Sequence, residues 1–459
     1  MRKIGINNYL LLLVVLTAIV LGFNLVDVRK IIGIIDFKLI STFVVLIATS
    51  ILTLQGIITL VWMLYAWNNP EKIDSAGSPK RYAEPKFSFT AIVPVRFEEK
   101  VIKDTIRAIS KINYPKELSE IIIVVRYDDK ESPVKVQEVI NEIGAENIKL
   151  QVLLGSYPIN KPNKLNYALK AANGDIIAIF DAEDEPHRSI YNIVNTVMIR
   201  DNADVVQSGV QLMNYNSHWF SPLNVLEYFF WFKSGLHFFT NVGRVSPLGG
   251  NTVFFKRNYL DRVGGWDDKC LTEDADVGIR LTLAGAKTVV IYDEMHVTRE
   301  ETPSSTSGFI KQRTRWVQGF LQIFLKGDWK RLPQRRQRLT VLYILFAPLI
   351  PAALTVYMPV GIAIGFLFDL PILVSMYSFV PTYILLLIVF VQIVGLYEFC
   401  RAYGYKFSAR LPFKLALTFM PYVFILSYAS IRAFWRIYKS ENEWEKTLHA
   451  NVHREMVKF

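Results

Sequence analysis

Four acids crowd into five positions of IIAIFDAEDEPH (176–187): Asp181, Glu183, Asp184 and Glu185 follow an apolar run that ends at Phe180. Two unit charges about 4 Å apart repel by roughly 4 kcal/mol at an effective dielectric near 20. Either some of these carboxylates face water, or a cation sits among them. In an extended segment Asp181 and Glu183 point to the same side. Two converging carboxylates suit magnesium or manganese, hard ions that would also hold substrate phosphates. Asp184 and Glu185 read instead as caps of a helix opening in DEPHRSIYNIV, with Pro186 in its first turn. By spacing alone, metal ligation and capping are equally good accounts of the cluster.

Three other places carry residue types fit for chemistry. LTEDADVGIRLTLAGA could be a helix capped by Thr272 with acids in its first turn, or could offer Asp274 as a general base toward an acceptor hydroxyl. Asp128 and Asp129 follow the apolar IIIVVRY. In FIKQRTRWVQGFLQIFLK (309–326), Gln312 and Arg315 are helical neighbours. The apolar face of Phe309, Trp316, Phe320, Ile323 and Phe324 suits a membrane interface, and a snorkelling Arg beside an interfacial Trp explains Arg315 equally well. The histidines show no metal spacing, and SPLGGNTVFF lacks the lysine of a phosphate-binding loop.

These residues need positioning elements, and the pattern supplies them. From Phe87 onward, strand-like runs (FSFTAIVPV, EIIIVV, IKLQVLL, DIIAIF) alternate with helical segments near 100–112, 132–143 and 163–173. That alternation predicts an α/β domain with a parallel sheet covered on both faces. Ligands of such sheets lie beyond the strands' carboxyl ends, where Asp128, Asp129 and Asp181 fall. The chain has 459 residues, 51% of them hydrophobic, and a formal charge of +11. Apolar runs at 9–23, 39–66, 341–368 and 371–397 read as membrane spans, the first of them short. No small-residue cleavage site follows the first run, so a retained hairpin is expected rather than a cleaved signal. Lys330, Arg331, Arg335, Arg336 and Arg338 precede the third span and place the central domain in the cytoplasm. The basic excess belongs to these flanks; no basic stripe interleaved with aromatics suggests nucleic acid. Cys270 and Cys400 form no disulfide framework.

Taken in order, the acidic pair, D-x-E, TED and Q-x-x-R-W between membrane spans resemble the processive membrane enzymes of glycosyltransferase family 2, a group that includes cellulose, mannan and hyaluronan synthases. The motifs stand as Asp128-Asp129, Asp181-Ala-Glu183, Thr272-Glu273-Asp274 and Gln312-Arg-Thr-Arg315-Trp316. The resemblance implies a GT-A (Rossmann-like) domain that binds a nucleotide-sugar donor. Asp181 and Glu183 match the magnesium or manganese site, although many members carry Asp where Glu183 stands. Asp274, within TED beside Glu273, matches the catalytic base. Asp128 or Asp129, Lys161 (with Lys164 behind it), Gln312, Arg313 and Arg315 match nucleotide and diphosphate contacts. Trp316 and the Gly249-Gly250-Asn251 loop match the acceptor side. NEWEKTLH (442–449) resembles a gating element, with Lys446 and Thr447 on the diphosphate.

The resulting layout is a transmembrane hairpin (1–66), a linker (67–86), the GT-A domain (87–307) and an interfacial helix (308–330). Two transmembrane helices (339–397), a helix that is interfacial or spanning (411–438) and a cytoplasmic tail (439–459) complete it. A multi-pass plasma-membrane protein is expected, in contact with lipid and with a growing glycan. Single addition to a membrane lipid is the alternative. A non-catalytic transporter or receptor would not need acids at several strand ends. The sequence is silent on the sugar, the base, the linkage and the oligomeric state.

Overall fold

The computed structural model describes residues 37–155, 160–367, 370–445 and 454. The run at 9–23 and residues Lys446 and Thr447 therefore lie outside the described residues. Among the described residues there are nine strands: β1 (Phe89–Pro94), β2 (Ser119–Arg126), β3 (Ile148–Leu153), β4 (Ile176–Ile179), β5 (Val205–Gln207), β6 (Val210–Leu212), β7 (Val253–Lys256), β8 (Thr288–Val290) and β9 (Thr298–Glu300). Seven form one sheet in the order β3-β2-β1-β4-β7-β5-β8, and β6 pairs with β9. The expectation of a parallel sheet needs correction. β1 to β4 are parallel, but β7 runs antiparallel to both β4 and β5, so the sheet is mixed. β7 enters after a long helical excursion, its first residue Val253 pairing with Gln207, the last residue of β5.

The longer helices are α1 (Phe37–Met63), α2 (Ile102–Ser110), α3 (Glu131–Ile143), α4 (Lys161–Ala171), α5 (Ile190–Asp201), α6 (Ser221–Phe230), α7 (Glu273–Leu283), α8 (Thr306–Lys326), α9 (Arg335–Phe346), α10 (Ile350–Leu367), α11 (Val380–Ala402) and α12 (Arg410–Tyr438). Period-two alternation sorts the strand residues onto two cores. Phe89, Ala91, Val93, Ile121, Ile123 and Phe180 join α2, α3 and α5 on one face. Ile92, Ile122, Val124, Ile177 and Ile179 join α4 and α7 on the other. The strands are thus buried on both sides, which explains their continuous apolar runs.

Among the described residues, four helical runs, Lys38–Met63, Arg335–Gly365, Ile372–Ala402 and Arg410–Tyr438, are long and apolar enough to cross a membrane. The chain divides into two contact units. The smaller comprises residues 1–51 and 358–380, where Ser50 and Tyr377 share a hydrogen bond of 3.1 Å. The larger comprises 52–357 and 381–459 and contains the sheet.

Three local readings change. The stretch 67–86 is partly helical (Pro70–Ser75) and anchored, with the Ala83 and Lys86 amides donating to Thr196 and Asn195. The apolar face of α8 turns into the protein: Phe309 packs against Phe220 and Tyr422, and Ile323 joins Cys270, Ala275 and Ile279. Asp184 and Glu185 do not cap a helix, because α5 begins only at Ile190 with no side-chain cap.

Candidate active site

Beyond the carboxyl ends of the central strands lies a cavity of about 520 Å³. Five pieces of backbone converge there. The turn after β4 delivers Asp181 and Glu183, the first residue of α4 is Lys161, and α7 opens with Glu273 and Asp274. From α8 come Gln312, Arg313, Arg315 and Trp316, and the loop Pro247–Asn251 lines the cavity between them. Acids at the start of α7 meet the positive end of its dipole. Thr272 occupies the N-cap position but its side chain makes no capping bond.

Asp181 and Glu183 sit in a turn, closed by the Asp184 amide on the Asp181 carbonyl at 3.2 Å, rather than in an extended segment. Both still line the cavity. Asp184 is a brace: its carboxylate accepts from the Asp181 amide (2.8 Å) and from Asn251 Nδ2 (2.8 Å). Lys161 bridges the two acidic motifs. Its ammonium pairs with Asp181 and donates to the Gly250 carbonyl (2.7 Å). A Cβ on Gly250 would stand 3.2 Å from Asp274 Oδ2 and 3.5 Å from Lys161 Nζ, so glycine lets the backbone pass this close. Asp181 and Asp274 thereby flank one small space.

Burial governs the charges. Glu183 is pushed up to about 8, first by burial and then by Asp181. Glu273 is pushed up to about 8 by burial and Asp274, and burial raises Asp274 as well. Burial alone would lower Lys161, but Asp181, Glu273 and Asp274 outweigh it and raise its pKa. Lys164, which donates to the Val95 carbonyl at 3.0 Å, is pushed down to about 7 by burial, then by Arg96, which together outweigh the opposing pull of Glu98 and Asp129. Glu300, at the end of β9, is a further buried acid in the cavity wall that the sequence reading overlooked; burial and Asp184 raise it.

Among the described residues, no group of three or more His, Cys, Asp or Glu is arranged to hold a metal ion. Asp181 and Glu183 nevertheless fit a dication that takes its remaining ligands from a diphosphate and water. They are hard oxygen donors in a crowd of like charge that a cation would relieve.

The remaining candidates separate. Asp129 is buried and committed to the backbone, accepting from the Phe97 amide and from Ser132 N at 3.0 Å. Asp128 is more exposed and pairs with Arg126 (3.2 Å) and Arg96 (3.9 Å). Neither lines the cavity, although Arg96 does. Arg313 is engaged by Glu227 and Asn224 and stacks on Trp316 at 4.5 Å. Gln312 Oε1 is buried with no partner among the described residues. The Gly249 amide donates to buried Gln207 at 2.7 Å.

Arg315 has a neighbour that motif spacing does not reveal. Trp444 lies under its guanidinium at 4.0 Å, and the Glu445 carbonyl accepts from it at 3.2 Å. Arg432 holds Glu445 through two bonds of 2.7 and 2.6 Å, and Arg436 reaches Glu445 at 3.0 Å. Gln318 accepts from Arg436 and donates to the Glu441 carbonyl. The far end of the cavity is lined by Gln55, Thr59 and Trp62 of α1, Trp231, Phe239, and Tyr343 of α9. Tyr343 OH bonds Thr59 Oγ1 (2.8 Å) and Trp62 Nε1 (2.9 Å). The wall that carries Trp231 and Phe239 contains two π-helical turns, a departure often found at functional sites.

Comparisons with known proteins agree with this geometry. The chain is 26% identical to "Probable glycosyltransferase YdaM" of Bacillus subtilis, over 57% of this chain and 62% of that protein. It is 28% identical to the "Poly-beta-1,6-N-acetyl-D-glucosamine synthase" of Staphylococcus aureus, over 57% of this chain and 60% of that one. It is also 28% identical to the "Beta-monoglucosyldiacylglycerol synthase" of Trichormus variabilis, over 51% and 49%. The chain thus spans about half to three-fifths of the length of these relatives. The fold resembles that of "Mannosyltransferase PcManGT from Pyrobaculum calidifontis in complex with GDP-Man and Mn2+", with a TM-score of 0.54, 19% identity and coverage of 84% of this chain and 99% of that one. Residues 85–319 match the family model described as "Glycosyltransferase like family 2". The match covers just over half of the chain and contains the four acid- and arginine-bearing motifs; the chain belongs to glycosyltransferase family 2.

Proposed function

We propose that this chain is an inverting membrane glycosyltransferase that uses a nucleoside diphosphate sugar, such as a UDP-sugar, to extend a β-linked glycan. Asp274 takes the proton from the acceptor hydroxyl. The acceptor oxygen attacks the anomeric carbon while the bond from that carbon to the diphosphate oxygen breaks on the opposite side. Lys161 and Arg315 meet the charge of the departing nucleoside diphosphate, the guanidinium offering a fork of donors to the phosphate oxygens. A magnesium or manganese ion held by Asp181 and Glu183 would neutralise the same diphosphate. Glu273 stands beside Asp274 at the buried start of α7. Asp128 is the better placed of the two neighbouring aspartates to meet the nucleoside, since Asp129 is spent on backbone amides.

The observation that carries the glycan reading is the cavity's continuity from the acids to α1 and α9. Trp62, Trp231 and Tyr343 offer faces for sugar C–H groups, and Gln55 and Thr59 offer hydrogen bonds at the same depth. The purely apolar portion near Phe239, Ile344 and Pro348 favours the second reading, a lipid acceptor that receives one sugar. On the proposed topology the protein is multi-pass in the plasma membrane and its sheet domain faces the cytoplasm. Detergent-solubilised protein is to be incubated with a panel of radiolabelled nucleotide sugars and manganese or magnesium, and the product sized. A ladder or high-mass product supports glycan extension. Label confined to an organic-extractable lipid replaces it with single addition.

A further inference from the structure

The acid-bearing turn is held from behind by a residue near the far end of the chain. Arg454 donates through one guanidinium nitrogen to the carbonyl of Glu183 (3.2 Å), the carbonyl of Asp184 (2.9 Å) and Thr105 Oγ1 (2.8 Å). Its other terminal nitrogen reaches the Val101 carbonyl at 3.3 Å and lies 3.7 Å from Asp104. Thr105 in turn donates to the Ala182 carbonyl at 2.6 Å. The backbone oxygens of Ala182, Glu183 and Asp184 are therefore all engaged by this Thr105–Arg454 pair. Nothing in the motif order requires an arginine here, some 270 residues along the chain from the acids it touches.

We propose that Arg454 is a positioning residue for the turn that bears Asp181 and Glu183. The carbonyls of Glu183 and Asp184 point their negative ends toward the guanidinium and that of Ala182 toward the Thr105 hydroxyl, which leaves the two carboxylates to face the cavity on the other side. A cation seated behind the turn also lessens the repulsion among Asp181, Glu183 and Asp184 before any donor arrives. Side chains that orient ligating carboxylates typically matter at the level of ten- to a hundredfold in metal affinity. The dication part of this inference rests on the reading of Asp181 and Glu183 given above; the positioning part does not.

The test uses the full chain in detergent, as wild type, Arg454→Ala and Arg454→Lys. Hydrogen exchange of the peptide covering residues 180–186 is measured in metal-free protein, and transfer is titrated with manganese. The inference expects exchange of that peptide to accelerate in Arg454→Ala, with Arg454→Lys in between, while peptides of β1 and β2 stay as in wild type. It also expects the half-activating manganese concentration to rise about tenfold in Arg454→Ala, with less change at saturating metal. Unchanged exchange at 180–186 overturns the inference, and so does equal acceleration in β1 and β2, which would report general destabilisation. A raised donor KM with unaltered exchange would make Arg454 a direct diphosphate contact and overturn positioning. If exchange at 180–186 rises selectively but wild type ignores both manganese and magnesium, the positioning role stands and the dication reading falls.

Discussion

Gly319 offers a test of how closely two motif-bearing helices must sit. It lies in α8, three residues beyond Trp316, and its open side faces the start of α7. A Cβ there would stand 2.4 Å from Thr272 Oγ1, 2.7 Å from Thr272 Cγ2 and 2.7 Å from the Thr272 backbone nitrogen. The hydroxyl can rotate away, but the backbone nitrogen cannot. Ordinary Cβ contacts begin near 3.4 Å, so Thr272 must retreat by about 0.7 Å, the gap between 2.7 and 3.4 Å. Glu273 and Asp274 follow directly and would move with it, away from Arg315. In a helix interior, Gly→Ala normally stabilises by roughly 0.5–1 kcal/mol. Overpacking a filled interior costs about 1–3 kcal/mol. The net expectation for Gly319→Ala is a loss of roughly 1–2 kcal/mol of stability. Misplacement approaching 1 Å at a reacting centre costs on the order of a hundredfold in rate, so kcat of sugar transfer should fall by about that factor. Initial rates at saturating donor and a thermal melt of the purified protein measure both. A variant that is more stable than wild type and keeps its kcat would show that the α7–α8 contact does not set the position of Asp274.

Two further outcomes follow from the charges. Asp274→Asn should lower transfer by roughly 10²–10⁴-fold while nucleotide binding, followed by calorimetry, stays within a few-fold of wild type; retained turnover removes Asp274 as the base. Glu183 and Glu273 are both raised to about 8 in the folded protein. Between about pH 5 and pH 8 these two carboxyls hold more protons in the folded state than in the unfolded chain, so their contribution to stability falls as pH rises through that window. The melting temperature of metal-free protein should drop from pH 5 to pH 8, and Glu183→Gln should flatten that slope. A pH slope that is the same in Glu183→Gln as in wild type contradicts the raised proton affinity of Glu183.

The sequence alone located the four strands β1 to β4, because strands buried on both faces are written as unbroken apolar runs between helical periods. It also marked Asp181, Glu183, Glu273, Asp274, Arg313 and Arg315 of the cavity wall, since groups at strand ends and helix starts are local features of the chain. Local reasoning failed wherever a partner lay far along the chain. The direction of β7, the use of Asp184 to brace Asp181 and Asn251, and the commitment of Asp129 to backbone amides are set by pairing and burial, which spacing does not encode. The packing partners of α8 were not legible for the same reason: an apolar stripe looks alike whether lipid or α7 and α12 cover it. Trp444 beneath Arg315 and Arg454 behind the acid turn come from residues more than a hundred positions away from the groups they serve. Composition could provide these side chains, but only closure of the tertiary fold decided which charges they meet, because electrostatic and hydrogen-bond energies depend on distance in space and not along the chain.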